Sequence, residues 1–177
     1  MAALHHGIVE STVWQQEQDT QAFAQQLANA LLELQPPGNA LIELRGNLGA
    51  GKTTLARHLL QALGVAGRIK SPTYAVVETY LLKLSGAELA ISHFDFYRFN
   101  DPDEWEEAGF RDLFAAPGLK LVEWPDKAQD RLPAPDLVLE IHSQESQAIE
   151  DEQSVSPRQV KMSSFSAKGD ALLKGLQ

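Results

Sequence analysis

Residues 44–60 read LRGNLGAGKTTLARHLL. Within them Gly46, Asn47, Leu48, Gly49, Ala50, Gly51, Lys52 and Thr53 fit the spacing G-x-x-x-x-G-K-[ST], and Thr54 follows directly. The spacing has a physical cause. Glycines let backbone N–H groups converge on phosphate oxygens without Cβ clashes. A helix start adds its partial positive charge. Lys52 is then placed to reach the β- and γ-phosphates, and the Thr53 hydroxyl to bind Mg²⁺. The flanks agree with this reading. The apolar run NALIELRG, residues 39–46, reads as a strand entering the turn. After Lys52, Leu55, Leu59 and Leu63 recur at helical spacing up to Gly64.

Outward from this cradle, TVWQQE at 12–17 reads as an opening strand. A helix is expected over 19–34, with Phe23, Leu27, Leu31 and Leu34 on one side and Asp19 or Thr20 as its cap; QPPG stops it. Residues 67–82 look extended after Pro72, and AELAISHFDFYRF at 87–99 reads as a strand. DPDEWEEAGFRDLF at 101–114 reads as a helix with Pro102 and acids at its start and Phe110 and Phe114 on one side. GLKLVEW at 118–124 is a strand, 125–135 a loop, 136–143 a strand and 144–158 a polar, acidic hairpin loop. A last strand over 159–165 and a helix over 169–176 close the chain. Strands alternating with helices around the cradle predict an α/β fold: a P-loop NTPase-like three-layer sandwich with a mixed, largely parallel sheet, in one domain over 1–177.

The bulk composition narrows the function. With 44% hydrophobic and 22% charged residues the 177-residue chain is ordinary for a globular protein. It has no cysteine, which excludes disulfides and thiolate metal sites and suits a reducing compartment. Neither a signal peptide nor an apolar run near the ~20 residues of a membrane span is expected, so the location expected is cytoplasmic. The formal net charge is −9. A field of that sign repels nucleic acid, and no basic stripe offsets it. Any service to nucleic acid is expected to pass through another protein. His5 and His6 and the remaining histidines have no metal-ligand spacing.

A nucleotide-hydrolysing site needs an acid near the metal and a group that positions water. Asp95 and Glu123 sit at the C-terminal ends of expected strands, the ends that face the ligand crevice in open α/β sheets. Both are candidate metal and catalytic residues beside Lys52, against the alternative of solvated edge carboxylates. SPTY, residues 71–74, is a stiffened turn in which Ser71 and Thr73 are candidate switch residues, or a plain lead into a strand. No Asn-Lys-x-Asp follows the cradle, so guanine specificity has no support. Trp105 and its helix, with the SPTY loop, are a candidate docking face; the alternative is that these aromatics fill the core.

Taken in order, GNLGAGKTT, KSPTYAVVETY, HFDFYR, DPDEWEEAGFRDLF and LVEWPDKA resemble the bacterial tRNA threonylcarbamoyladenosine biosynthesis ATPase family TsaE, also called YjeE. The likeness runs over about residues 12–142 and weakly beyond. It implies a small, weak ATPase with ATP and Mg²⁺ as cofactors and the proteins TsaB and TsaD as partners. Those partners modify the adenosine next to the anticodon, so tRNA is met only indirectly. It further implies Mg²⁺ on Thr53, Asp95 and Glu123. Glu17 and Thr20 would lie near the nucleotide base, and Arg158 would match a late family arginine near the nucleotide. A small-molecule P-loop kinase with Asp95 as base, and a nucleotide-binding module without turnover, are the other readings.

Overall fold

The computed structural model describes residues 7–100, 105, 109–143 and 156–177. Seven strands form one sheet: β1 (Val9–Trp14), β2 (Leu41–Arg45), β3 (Val77–Leu84), β4 (Ala87–Asp95), β5 (Leu119–Glu123), β6 (Leu137–Ser143) and β7 (Arg158–Ser164). Their order is β1-β7-β6-β2-β5-β4-β3. The central four, β6-β2-β5-β4, are parallel, whereas β1 with β7, β7 with β6 and β3 with β4 pair antiparallel. The sheet is therefore mixed, with parallel strands where the cradle sits.

Helices α1 (Glu17–Glu33), α2 (Lys52–Leu63) and α4 (Ala167–Lys174) cover one face. Their apolar stripes meet alternate strand residues: Leu27 and Leu31, Leu55 and Leu59, and Leu172 are sealed against Ile42, Leu44, Leu121, Leu139 and Ile141. Each such side chain contributes about 1.5–3 kcal/mol by leaving water. The opposite face carries an aromatic core of Phe94, Phe96, Phe99, Trp105 and Phe110, beside α3 (Phe110–Ala115). Phe94 stacks on Phe114 with centroids 4.6 Å apart. Strand alternation produces this split, because successive residues of β4 and β5 point to opposite faces.

Several expected boundaries move. The opening strand is Val9–Trp14, not 12–17, because Glu17 already begins α1. The cap position is Gln16. Asp19, within the first turn, reaches back to accept from the amides of Gln15 at 2.7 Å and Gln16 at 3.1 Å. Residues 72–76 form a turn closed by Val76 N–H donating to Pro72 O at 2.6 Å, so β3 starts only at Val77. β4 stops at Asp95, after which Phe99 N–H turns back to Phe96 O. The expected loop at 125–135 opens with a 3-10 helix, Pro125–Arg131, which Pro125 can start because its missing N–H has no helical partner to lose. Pro102, most of the acidic helix start and the hairpin loop 144–155 lie outside the described residues.

One buried carboxylate ties the base of the sheet together. Asp136 accepts from Leu41 N–H at 2.9 Å, Ser166 Oγ–H at 2.5 Å and Lys168 Nζ at 3.3 Å, which joins β2, the start of β6 and α4. Asp136→Ala leaves a backbone amide and a hydroxyl without acceptors. We expect unfolding free energy to fall by about 2–4 kcal/mol, read from urea denaturation; a loss below 1 kcal/mol would show that water replaces these bonds.

Candidate phosphate and metal site

β2 delivers the chain into the glycine turn between β5 and β6. Gly46 has φ +142°, and a Cβ there would collide with the carbonyl oxygen of Ile141 on β6. Only glycine fits this close approach. Gly51, at φ +108°, turns the chain into α2, whose first amides have no helical acceptors and face the cradle.

Lys52 is 4% exposed. Its ammonium donates to Gly46 O at 2.7 Å and Asn47 O at 2.8 Å, and lies 4.0 Å from the centroid of the Trp124 ring. The lysine thus braces the loop it belongs to. Burial pulls its pKa below the usual lysine value, while the charges of Glu123 and Asp95 act in the opposite direction.

Glu123 ends β5 and is 1% exposed. Its Oε2 accepts from the Thr53 hydroxyl at 2.7 Å, and its Oε1 lies 2.8 Å from His93 Nε2. Asp95 stands opposite Glu123 in the parallel register of β4 and β5. Its Oδ2 accepts from Thr73 Oγ1 at 2.7 Å and Ser71 Oγ at 3.1 Å, and its Oδ1 from Tyr97 N–H at 3.0 Å. Ser71 and Thr73 therefore belong to the same site as Asp95. Lys52, Thr53, Thr73, Asp95 and Glu123 line one open cleft of about 370 Å³, with Leu48 at its rim 74% exposed.

A second cleft continues behind the cradle. Glu17, Thr20, Ala50, Gly51, Thr54 and Arg158 line it. Glu17 Oε1 is held 2.9 Å from His58 Nε2 on α2. Arg158 opens β7, with Nη1 donating to Ser143 Oγ and Ser156 O, both at 3.1 Å, and Nη2 3.4 Å from Gly49 O. Gly51 and Thr54 line both clefts, so the two meet at the start of α2; Gly46, Asn47 and Ser71 line neither.

The donor set of Thr53, Asp95 and Glu123 is all oxygen. That fits a hard cation which takes phosphate oxygens and water for the rest of its shell. Among the described residues no group of three or more His, Cys, Asp or Glu is placed to hold a metal without such help. Sequence reading missed the roles of His93 and Trp124. Alternation along β4 puts His93 on the face of Asp95, which was a usable signal. Trp124, at φ +56°, turns its ring over Lys52 and against Tyr97, a placement without a local sequence cue. As docking residues, Trp105 and Phe110 are corrected: at 3% and 4% exposed they are core. Tyr74 of the SPTY turn is 82% exposed and stacks on Arg98, 4.2 Å from its ring. No described helix is long and apolar enough to cross a membrane.

The chain matches the family described as "Threonylcarbamoyl adenosine biosynthesis protein TsaE" over residues 14–153. It is 44% identical over 119 residues to the tRNA threonylcarbamoyladenosine biosynthesis protein TsaE of Haemophilus influenzae, covering 67% of this chain and 73% of that one. The protein of the same name from Aquifex aeolicus is 32% identical over 136 residues, covering 76% and 87%; that of Bacillus subtilis is 36% identical over 97 residues, covering 55% and 57%. The crystal structure of Bacillus subtilis YdiB superposes with a TM-score of 0.66 at 24% identity over 97% of this chain and 96% of the other, a likeness of fold. The ordered motifs and these matches agree: the chain belongs to the TsaE family.

Proposed function

We propose that this chain binds ATP and hydrolyses it with Mg²⁺. In this reading it serves threonylcarbamoyladenosine modification of tRNA by acting on a TsaB–TsaD complex in the cytoplasm, without itself transferring the group. The observation that carries the proposal is the 2.7 Å bond from Thr53 to Glu123 at the foot of the cradle. It puts a hydroxyl and a buried carboxylate side by side next to the only lysine of the loop. Thr53, Asp95 and Glu123 would hold Mg²⁺, which when bound neutralises charge on the phosphate oxygens. The helix-start amides and Lys52 bind and orient the phosphates; the charged oxygens are stronger acceptors for Lys52 than the two carbonyls it holds. Glu17, Thr20 and Arg158 line the second cleft and would border the nucleoside. Asp95, bonded to Ser71 and Thr73, couples the reacting end to the SPTY turn, whose Ser71 and Tyr74 are exposed. That coupling suits a protein whose output is read by a partner. The net charge of −9 supports contact with tRNA through protein only. The other reading, a small-molecule kinase with Asp95 as base, differs in its product: a phosphorylated acceptor in place of inorganic phosphate.

The test adds the protein to TsaB and TsaD with ATP, Mg²⁺ and tRNA, and follows phosphate release and multiple-turnover modification. We expect inorganic phosphate, stimulated by the partners, and sustained modification. A phosphorylated acceptor would establish the kinase reading. Binding of ATP without stimulated turnover would reduce the chain to a nucleotide-binding module.

A further inference from the structure

His93 is 1% exposed, as is the Glu123 carboxylate it meets at 2.8 Å. The other ring nitrogen, Nδ1, is buried and has no hydrogen-bond partner among the described residues. A buried N–H without an acceptor is rarer and costlier than a bare lone pair. The proton therefore belongs on Nε2, where a carboxylate oxygen accepts it. Glu123 is then clamped between two donors: His93 Nε2–H on Oε1 and Thr53 Oγ1–H on Oε2. The strand register makes this possible. His93 lies opposite Leu121 on β5, two residues before Glu123, and alternation turns all three to one face.

We infer that His93 is a positioning residue. It fixes the rotamer of Glu123 so that Oε2 stays on Thr53 and faces the phosphate cleft. This rests on the proposed ATPase reading for its consequence, but not for its geometry. Without His93 the carboxylate keeps one of its two anchors and is free to swing about that bond. The damage then falls on cation-dependent steps, because Glu123 is shared with Thr53, and not on nucleotide contacts made by the loop amides and Lys52.

Two measurements test this. A long-range ¹H–¹⁵N spectrum of the unliganded protein is expected to show His93 protonated on Nε2 alone; a proton on Nδ1 overturns the assignment. In the complete system with both partners, His93→Leu is expected to raise the Mg²⁺ needed for half-maximal hydrolysis by about 10–100-fold, with binding of a fluorescent ATP analogue in the absence of metal changed less than about twofold. His93→Gln carries an amide N–H near the position of Nε2 and is expected to restore most of the Mg²⁺ response. His93→Asn carries its amide nearer Nδ1 and is expected not to. Equal losses in the Gln and Asn variants with an unchanged Mg²⁺ requirement would mean that His93 only fills space. This contrast also decides the matter if the Leu variant fails to fold. If the unaltered protein hydrolyses no ATP with its partners, the ATPase reading fails while the spectrum still judges the clamp.

Discussion

Lys52→Ala is expected to lower partner-stimulated ATP hydrolysis by about 10²–10³-fold, the cost of deleting one preorganised charge-stabilising donor. The same change is expected to leave the unfolding free energy within about 1 kcal/mol of the original. The two effects separate for a structural reason. Lys52 makes two hydrogen bonds to loop carbonyls and a ring contact with Trp124, which stabilise the fold. Its ammonium is also nearly sealed from water, and burial lowers its pKa, so the charged form is held at a cost. Removing the side chain loses the bonds and relieves that cost. In the bound state no such offset exists, because the phosphate charge would be left without its lysine. Arginine is not expected to rescue: its planar fork does not fit the space where a compact ammonium meets two carbonyls under an indole. Phosphate release measured beside urea unfolding checks both halves. Stimulated release at the original rate would remove Lys52, and with it the cradle, from the chemistry.

What was readable in advance follows the range of the interaction. The glycine turn, its leading strand and α2 depend on residues within about a dozen positions, and local spacing encodes them. Asp95 and Glu123 were legible because each ends an apolar strand, and the strand end decides which rim of the sheet it reaches. Sheet order was not legible. β2 lies between β5 and β6, and β1, at the sheet edge among the described residues, pairs with β7 across most of the chain. The approach of Arg158 to Gly49 joins residues 109 apart for the same reason. Aromatics on a helix face read alike whether they meet a core or a partner, so Trp105 was ambiguous until its 3% exposure placed it. The start of α1 misled because Asp19 is a good capping residue in isolation. Here it caps from within the first turn, reaching back to two preceding amides.

Glu123→Gln is expected to fold and yet to lose about 10–100-fold in response to Mg²⁺, with stimulated hydrolysis falling by at least as much. The amide is the informative change. A carboxylate accepts from both His93 Nε2–H and Thr53 Oγ1–H. Glutamine offers one accepting oxygen and one donating nitrogen. Imidazole Nε2–H keeps its bond if the oxygen faces His93. The nitrogen then faces Thr53, whose hydroxyl can rotate and accept. Every group near the substitution is satisfied, so stability should fall by no more than about 1 kcal/mol. The charge is gone, however, and the Thr53 oxygen now spends a lone pair on the amide that a cation would need. Alanine is a poorer probe, since it strands a buried imidazole N–H and leaves a hole, a loss of about 3–5 kcal/mol when one partner of a buried pair is removed. The double variant His93→Leu, Glu123→Gln settles the relation between the two residues. If His93 acts through Glu123, the double change costs no more in Mg²⁺ response than Glu123→Gln alone. Additive losses would give His93 a path to the phosphates that bypasses the carboxylate.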